Sequence, residues 1–158
     1  MRKVVFLLVA MLWVTMLYSQ EKKVSMYNEV ALDASAGGYG SAIGSLTFSY
    51  TGGVNLGKCF STGITLGYDP LPGNMLSALK LRGVFPKEKV LFYASASGGI
   101  RTTFKETQPS IAVSAGVGIK SKKSFKNSFN IGPMIEFLNY PEKEAWGKFV
   151  GIKLGYQF

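Results

Sequence analysis

Apolar and polar residues alternate with a period of two along most of this chain. The clearest case is residues 45–56. Leu46, Phe48, Tyr50, Val54 and Leu56 fall on one parity; Ser45, Thr47, Ser49, Thr51 and Asn55 fall on the other. A period of two sends successive side chains to opposite faces of a β-strand. The same pattern sets Ile111, Val113, Ala115, Val117 and Ile119 against Ala112, Ser114, Gly116, Gly118 and Lys120. It returns in the last segment, where Val150, Ile152, Leu154, Tyr156 and Phe158 alternate with Gly151, Lys153, Gly155 and Gln157. Two environments produce such alternation. A soluble strand packs its apolar face on a core and wets the other. A strand in a membrane barrel faces lipid outside and a polar lumen inside.

Eight segments carry the pattern, at about residues 29–38, 45–56, 60–68, 75–85, 90–101, 110–120, 128–139 and 146–158. Short turns are expected at 57–59, 86–89 and 121–127, and loops at 39–44, 69–74, 102–109 and 140–145. Residues 69–74 read Asp-Pro-Leu-Pro-Gly-Asn, a composition that ends strands. Pro133 lies inside the seventh segment and predicts a bulge or a local break in pairing. A tilted strand needs about 9–11 residues to cross a bilayer. Closing an even number of antiparallel strands leaves no unpaired edge and returns the chain to its starting side. The pattern therefore predicts an all-β fold, an eight-stranded antiparallel up-and-down transmembrane β-barrel. Its loops are short, which argues against a large adhesive surface.

The first residues follow a different rule. Met1-Arg2-Lys3 is a basic start, Val4 to Tyr18 is almost wholly apolar, and Ser19-Gln20-Glu21-Lys22-Lys23 turns polar. That is the order of a cleavable signal peptide, and the run falls short of the ~20 residues of a spanning helix. The expected organisation is a signal peptide over 1–19, cut after Ser19 or Gln20, and a barrel domain over 20–158. The one cysteine, Cys59, stands far from that cut, so it neither anchors a lipid there nor forms an internal disulfide.

Charge adds a partner class. The chain has 18 basic and 9 acidic residues; loss of Arg2 and Lys3 with the leader leaves 16 against 9, or +7. For an exported chain this points to anionic lipid headgroups and lipopolysaccharide rather than to nucleic acid. The 19 glycines and the aromatics (11 Phe, 8 Tyr, 2 Trp) recur along the strand-like segments and do not collect in a linker. Barrels use glycine where strands bend or crowd, and aromatics at the membrane interfaces.

Parity also selects the lumen. Its charged candidates are Asp33, Lys80, Arg82, Arg101, Lys120, Glu136 and Lys153, five bases and two acids. The interior of an eight-stranded barrel is just wide enough for side chains to fill it. These groups are expected to form a polar plug more readily than an ion pathway. Catalysis has little support. The chain has no His, which removes Ser–His hydrolysis and the commonest general base. Glu142 and Glu144 share a loop without a pocket, and Gly37-Gly38 and Gly98-Gly99 lack the strand–loop–helix setting of a phosphate cradle. Lys122, Lys123 and Lys126 read as a solvated turn. No enzyme activity, cofactor or metal is expected.

The stretches STGITLGYD, SIAVSAGVGIK and FVGIKLGYQF resemble the small eight-stranded outer-membrane barrels of the OmpA/OmpX type and the related β-barrel domain common in Bacteroidetes. The resemblance covers essentially residues 24–158. It implies a bacterial outer-membrane location in a Gram-negative envelope. It also implies that Tyr156 and Phe158, the aromatic end, are read by the outer-membrane assembly machinery. The family carries no shared catalytic residues to transfer. The competing reading is a secreted soluble barrel of the lipocalin kind, with the apolar face turned inward around a small apolar ligand.

Overall fold

The computed structural model describes residues 24–38, 43–57, 59–87, 89–103, 106–120, 127–141 and 144–158. The expected leader, the lysines of the 121–126 turn and Glu142 lie outside them. Eight strands form one closed antiparallel barrel in sequence order. They are β1 (Val24–Gly38), β2 (Ile43–Leu56), β3 (Phe60–Asp69), β4 (Asn74–Lys87), β5 (Val90–Thr102), β6 (Thr107–Lys120), β7 (Ser128–Tyr140) and β8 (Ala145–Gln157). Closure is made by β1 and β8, with Val30 opposite Tyr156 and Asp33 opposite Lys153.

The alternation of the sequence becomes the two faces of the wall. Ile111, Val113, Val117 and Ile119 point outward and are 43–66% exposed. Phe48, Tyr50, Ile64, Leu66, Leu79 and Phe92 do the same on β2 to β5, and Phe129, Ile131, Val150 and Ile152 on β7 and β8. The opposite parity is buried and polar: Thr47, Thr51, Thr65, Ser95, Ser114 and Asn130 all face the lumen. The lipocalin-like arrangement required the reverse orientation, so the side-chain directions overturn it.

Pro133 sits on the outer face of β7. The β6–β7 ladder runs to Ser114 opposite Met134 and resumes at Val117 opposite Ile131 in the same register. Proline cannot donate to the ladder, so the outcome is a local break without an inserted residue. Glycines meet where walls crowd. A Cβ on Gly116 would stand 2.2 Å from the Ile131 carbonyl oxygen and 2.6 Å from Cα of Gly132. The interior also has a small apolar patch, Val84, Leu91 and Tyr93, near the β4–β5 turn.

Candidate functional site

The lumen holds the chemistry. Its contents come from the inward parity of each strand, and they gather into three groups along the barrel.

The first group lies toward the end that carries the start of β1, the end of β8 and the β4–β5 turn. Glu29 of β1 receives Lys80 Nζ at 2.6 Å and Arg82 Nη1 at 2.7 Å. Both cations come from β4, three strands away, so these bonds reach across the lumen. The Tyr27 hydroxyl donates to Glu29 and accepts from Arg82. The Arg82 guanidinium carbon lies 4.9 Å from the Tyr93 ring centroid and 5.9 Å from that of Tyr27, so the cation is set between two aromatic faces. Arg82, Glu29, Tyr27 and Leu91 are all essentially closed to solvent.

The second group sits on the β1–β8 seam. Lys153 Nζ donates to both carboxylate oxygens of Asp33 at 2.9 Å. The two residues are direct cross-strand partners.

The third group lies toward the opposite mouth. Arg101 of β5 donates from Nε to Glu136 Oε1 at 2.7 Å and from Nη2 to Oε2 at 2.8 Å. A planar guanidinium suits this two-point contact. Arg101 also reaches Thr47 at 3.1 Å and Asp69 at 3.8 Å. Ser110 donates to Glu136 at 2.7 Å. Asp69 accepts from the Ser45 hydroxyl and from the backbone N–H groups of Leu46 and Leu71 at 3.2 and 3.1 Å. Asp69 therefore fastens the start of β2 to the end of β3 and to the β3–β4 turn.

Of the residues picked out from the sequence, the structure brings Lys80 and Arg82 together, joins Asp33 to Lys153, and joins Arg101 to Glu136. Lys120 lies half-buried at the end of β6, where its backbone N–H donates to the Lys89 carbonyl at 3.1 Å. Two acids were absent from the expected set, Glu29 and Asp69. Adding them brings the set to five bases and four acids, and within the described ion pairs Lys80, Arg82, Arg101 and Lys153 face Glu29, Asp33, Asp69 and Glu136. Parity could have found both. Glu29 shares the face of Ala31 and Asp33, and Asp69 continues the face of Thr65 and Gly67.

Two cavities frame the third group. An inner one of about 40 Å³ lies between the Asp33–Lys153 and Arg101–Glu136 pairs, lined by serines of β5 and β6. That is room for a little water among polar partners. An outer one of about 170 Å³ opens at the mouth, over Asp69, Asn74, Arg101 and Glu136. The Arg101–Glu136 pair lines both and forms the partition. Each of these four acids is engaged by a cation or by several donors, an arrangement that holds the walls together. Among the described residues no group of three Cys, Asp or Glu side chains is placed to hold a metal. Cys59 is exposed in the β2–β3 turn. On the outer surface Tyr156 and Phe158 stack with centroids 6.2 Å apart.

No family model matches the sequence, and no curated protein matches it. Solved structures do. Neisserial surface protein A, from Neisseria, aligns with a TM-score of 0.59 and 10% identity over 87% of this chain and 100% of its own. A de novo designed transmembrane β-barrel aligns at 0.43 and 12% identity, covering 84% of this chain and 95% of its own. Ail, the attachment invasion locus protein of Yersinia pestis, aligns at 0.43 and 10% identity, covering 85% and 99%. At these identities the likeness to the neisserial protein is one of fold: a closed barrel of this size.

Proposed function

We propose that this chain is a non-enzymatic integral barrel of a Gram-negative outer membrane, with a lumen closed by a polar plug and a structural or surface-contact role. One observation carries the reading: the polarity of the barrel is inverted. Large apolar side chains cover the outside of all eight strands, while five ion pairs among the described residues and rows of Ser and Thr fill the inside. Apolar patches beyond a few hundred Å² are rare on proteins exposed to water. A closed barrel is one of two architectures that satisfy the whole backbone within lipid.

The finer parts of the proposal rest on the sequence. Residues 1–19 act as the export signal, and lipid and lipopolysaccharide cover the outer face. Tyr156 and Phe158 are the contact for the assembly machinery, as in the OmpA/OmpX-like and Bacteroidetes-type barrels that the chain resembles. The plug is supported by the two lumen-crossing bonds of Glu29 and by the bidentate Arg101–Glu136 contact.

Fractionation of cells expressing the full chain tests the location. The protein is expected in the outer-membrane fraction, beginning at Gln20 or Glu21, and migrating faster on gels when unheated than when boiled. Recovery in the aqueous fraction with no heat-dependent mobility would overturn the reading. Planar-bilayer recording tests the plug separately: long-lived, uniform conductance steps from the purified barrel would replace it with a channel.

A further inference from the structure

We propose that the outer mouth of the barrel is a binding site for a small primary ammonium ion carried on an apolar stem. The cavity there is about 170 Å³ and is built, not incidental. Its charged floor consists of Asp69, Glu136 and Arg101, so the described lining residues supply two acids and one base. Arg101 spends Nε and Nη2 on Glu136 at 2.7–2.8 Å and stands 3.8 Å from Asp69. The floor keeps a net negative charge on groups that are themselves buried, where an opposite charge is felt more strongly than in bulk water.

Asn74 points independently to a donor. Its side chain lines the same cavity and is 7% exposed, and its Oδ1 has no hydrogen-bond partner. A buried acceptor left unpaired costs free energy that a bound donor recovers. An anion would find two carboxylates and an unpaired carbonyl oxygen, so the site selects against it. The ammonium group has three donors to distribute between Asn74 Oδ1 and the carboxylates. The walls fit the rest of the ligand. Leu138 and Phe149 are buried and Tyr140 half-buried around the mouth. They offer an apolar surface and two aromatic rings, which attract cations.

The probe is 2-phenylethylammonium chloride, titrated into isotope-labelled full-length barrel refolded in lipid bicelles and followed through backbone amide NMR shifts. The comparison ligands are 2-phenylethanol and phenylacetate. Saturable shifts are expected at Asn74, Arg101 and Leu138 with the amine, and binding weaker by about tenfold or more with the alcohol and the acid, the loss of a charge-assisted hydrogen bond. Asn74→Leu should weaken amine binding by a similar factor while the barrel stays heat-modifiable. Asn74→Asp, which adds a carboxylate, should tighten it. Equal affinity for amine and alcohol overturns the proposal, as do amine shifts confined to the outer wall. If Asn74→Leu does not refold, the wild-type comparison and Asn74→Asp decide, and an Asp variant that binds no tighter than wild type counts against the site.

Discussion

Glu29 shows how single residues set the interior. It receives two cations from β4 and the hydroxyl of Tyr27, and it is buried. Removing one partner of a buried ionic group leaves uncompensated charge, at about 3–5 kcal/mol. Glu29→Gln is therefore expected to destabilise the barrel by that amount in urea unfolding from vesicles. Replacing Glu29, Lys80 and Arg82 together with Leu, Met and Met should cost less than the single change, because no charge is left behind. If the triple variant is the weaker, the network stabilises beyond mutual compensation. On the outer face Ile152 is 55% exposed near the middle of β8. Ile152→Arg should cost about 2–4 kcal/mol in a bilayer if it lies at the midplane, falling toward 0–1 near an interface. A neutral result in refolded samples contradicts lipid contact there. Parity picks out Asp33, Lys80, Arg82, Arg101, Glu136 and Lys153 within recognised segments, and passes over Glu29 only because it stands at the first position of its segment. Asp69 was hidden because the prolines that follow it mark a turn, although the residue itself still pairs with Asn74.

At the scale of elements, all eight strands stood in the sequence because each keeps period two over most of its length. The start of β1 did not, and the reason is local. Val24 and Met26 keep the rule, but at Tyr27 and Asn28 it inverts, with the aromatic ring inward and the polar amide outward. Asn28 is accommodated there by the Tyr50 hydroxyl, which donates to it at 2.8 Å. Tyr27 belongs inside because it serves Glu29 and Arg82. Neither partner is visible in a local pattern. Packing between walls gives a sharp prediction. Gly116→Ala forces a Cβ against the β7 backbone, whereas a Cβ on outward Gly98 meets nothing within 4 Å. The first change should cost about 1–3 kcal/mol, and the second should be tolerated. Equal unfolding midpoints for the two would show that β6 and β7 move apart freely. The final strand bears on assembly. Its outward Tyr156 and Phe158 stack, and β8 must close against β1 through Val30 and Tyr156. Loss of Phe158 is expected to lower the heat-modifiable, outer-membrane fraction in pulse labelling more than it lowers synthesis or export. Unchanged assembly would reduce the pair to lipid-facing surface.

For the whole molecule, the decisive quantity is where the charge is not. The described ion pairs of the lumen balance four bases against four acids. The formal charge of +9 over the full chain, or +7 without Arg2 and Lys3, is therefore carried by residues other than these eight. The two sets of charges answer to salt differently. Exposed charges are screened within about 10 Å at 0.1 M salt and about 3 Å at 1 M, while buried pairs are screened much less. Two measurements on one preparation should then diverge. The rate of insertion into vesicles is expected to rise with the fraction of anionic lipid at low salt and to lose that dependence near 1 M. The urea midpoint of the inserted barrel should hardly move over the same range. A midpoint that falls with salt would mean that water and ions reach the Glu29 and Glu136 pairs, so that the lumen is a conduit and not a plug. Insertion indifferent to lipid charge would mean that the basic surplus does not face the membrane surface, and the attraction to anionic headgroups would have to be abandoned with the barrel fold intact.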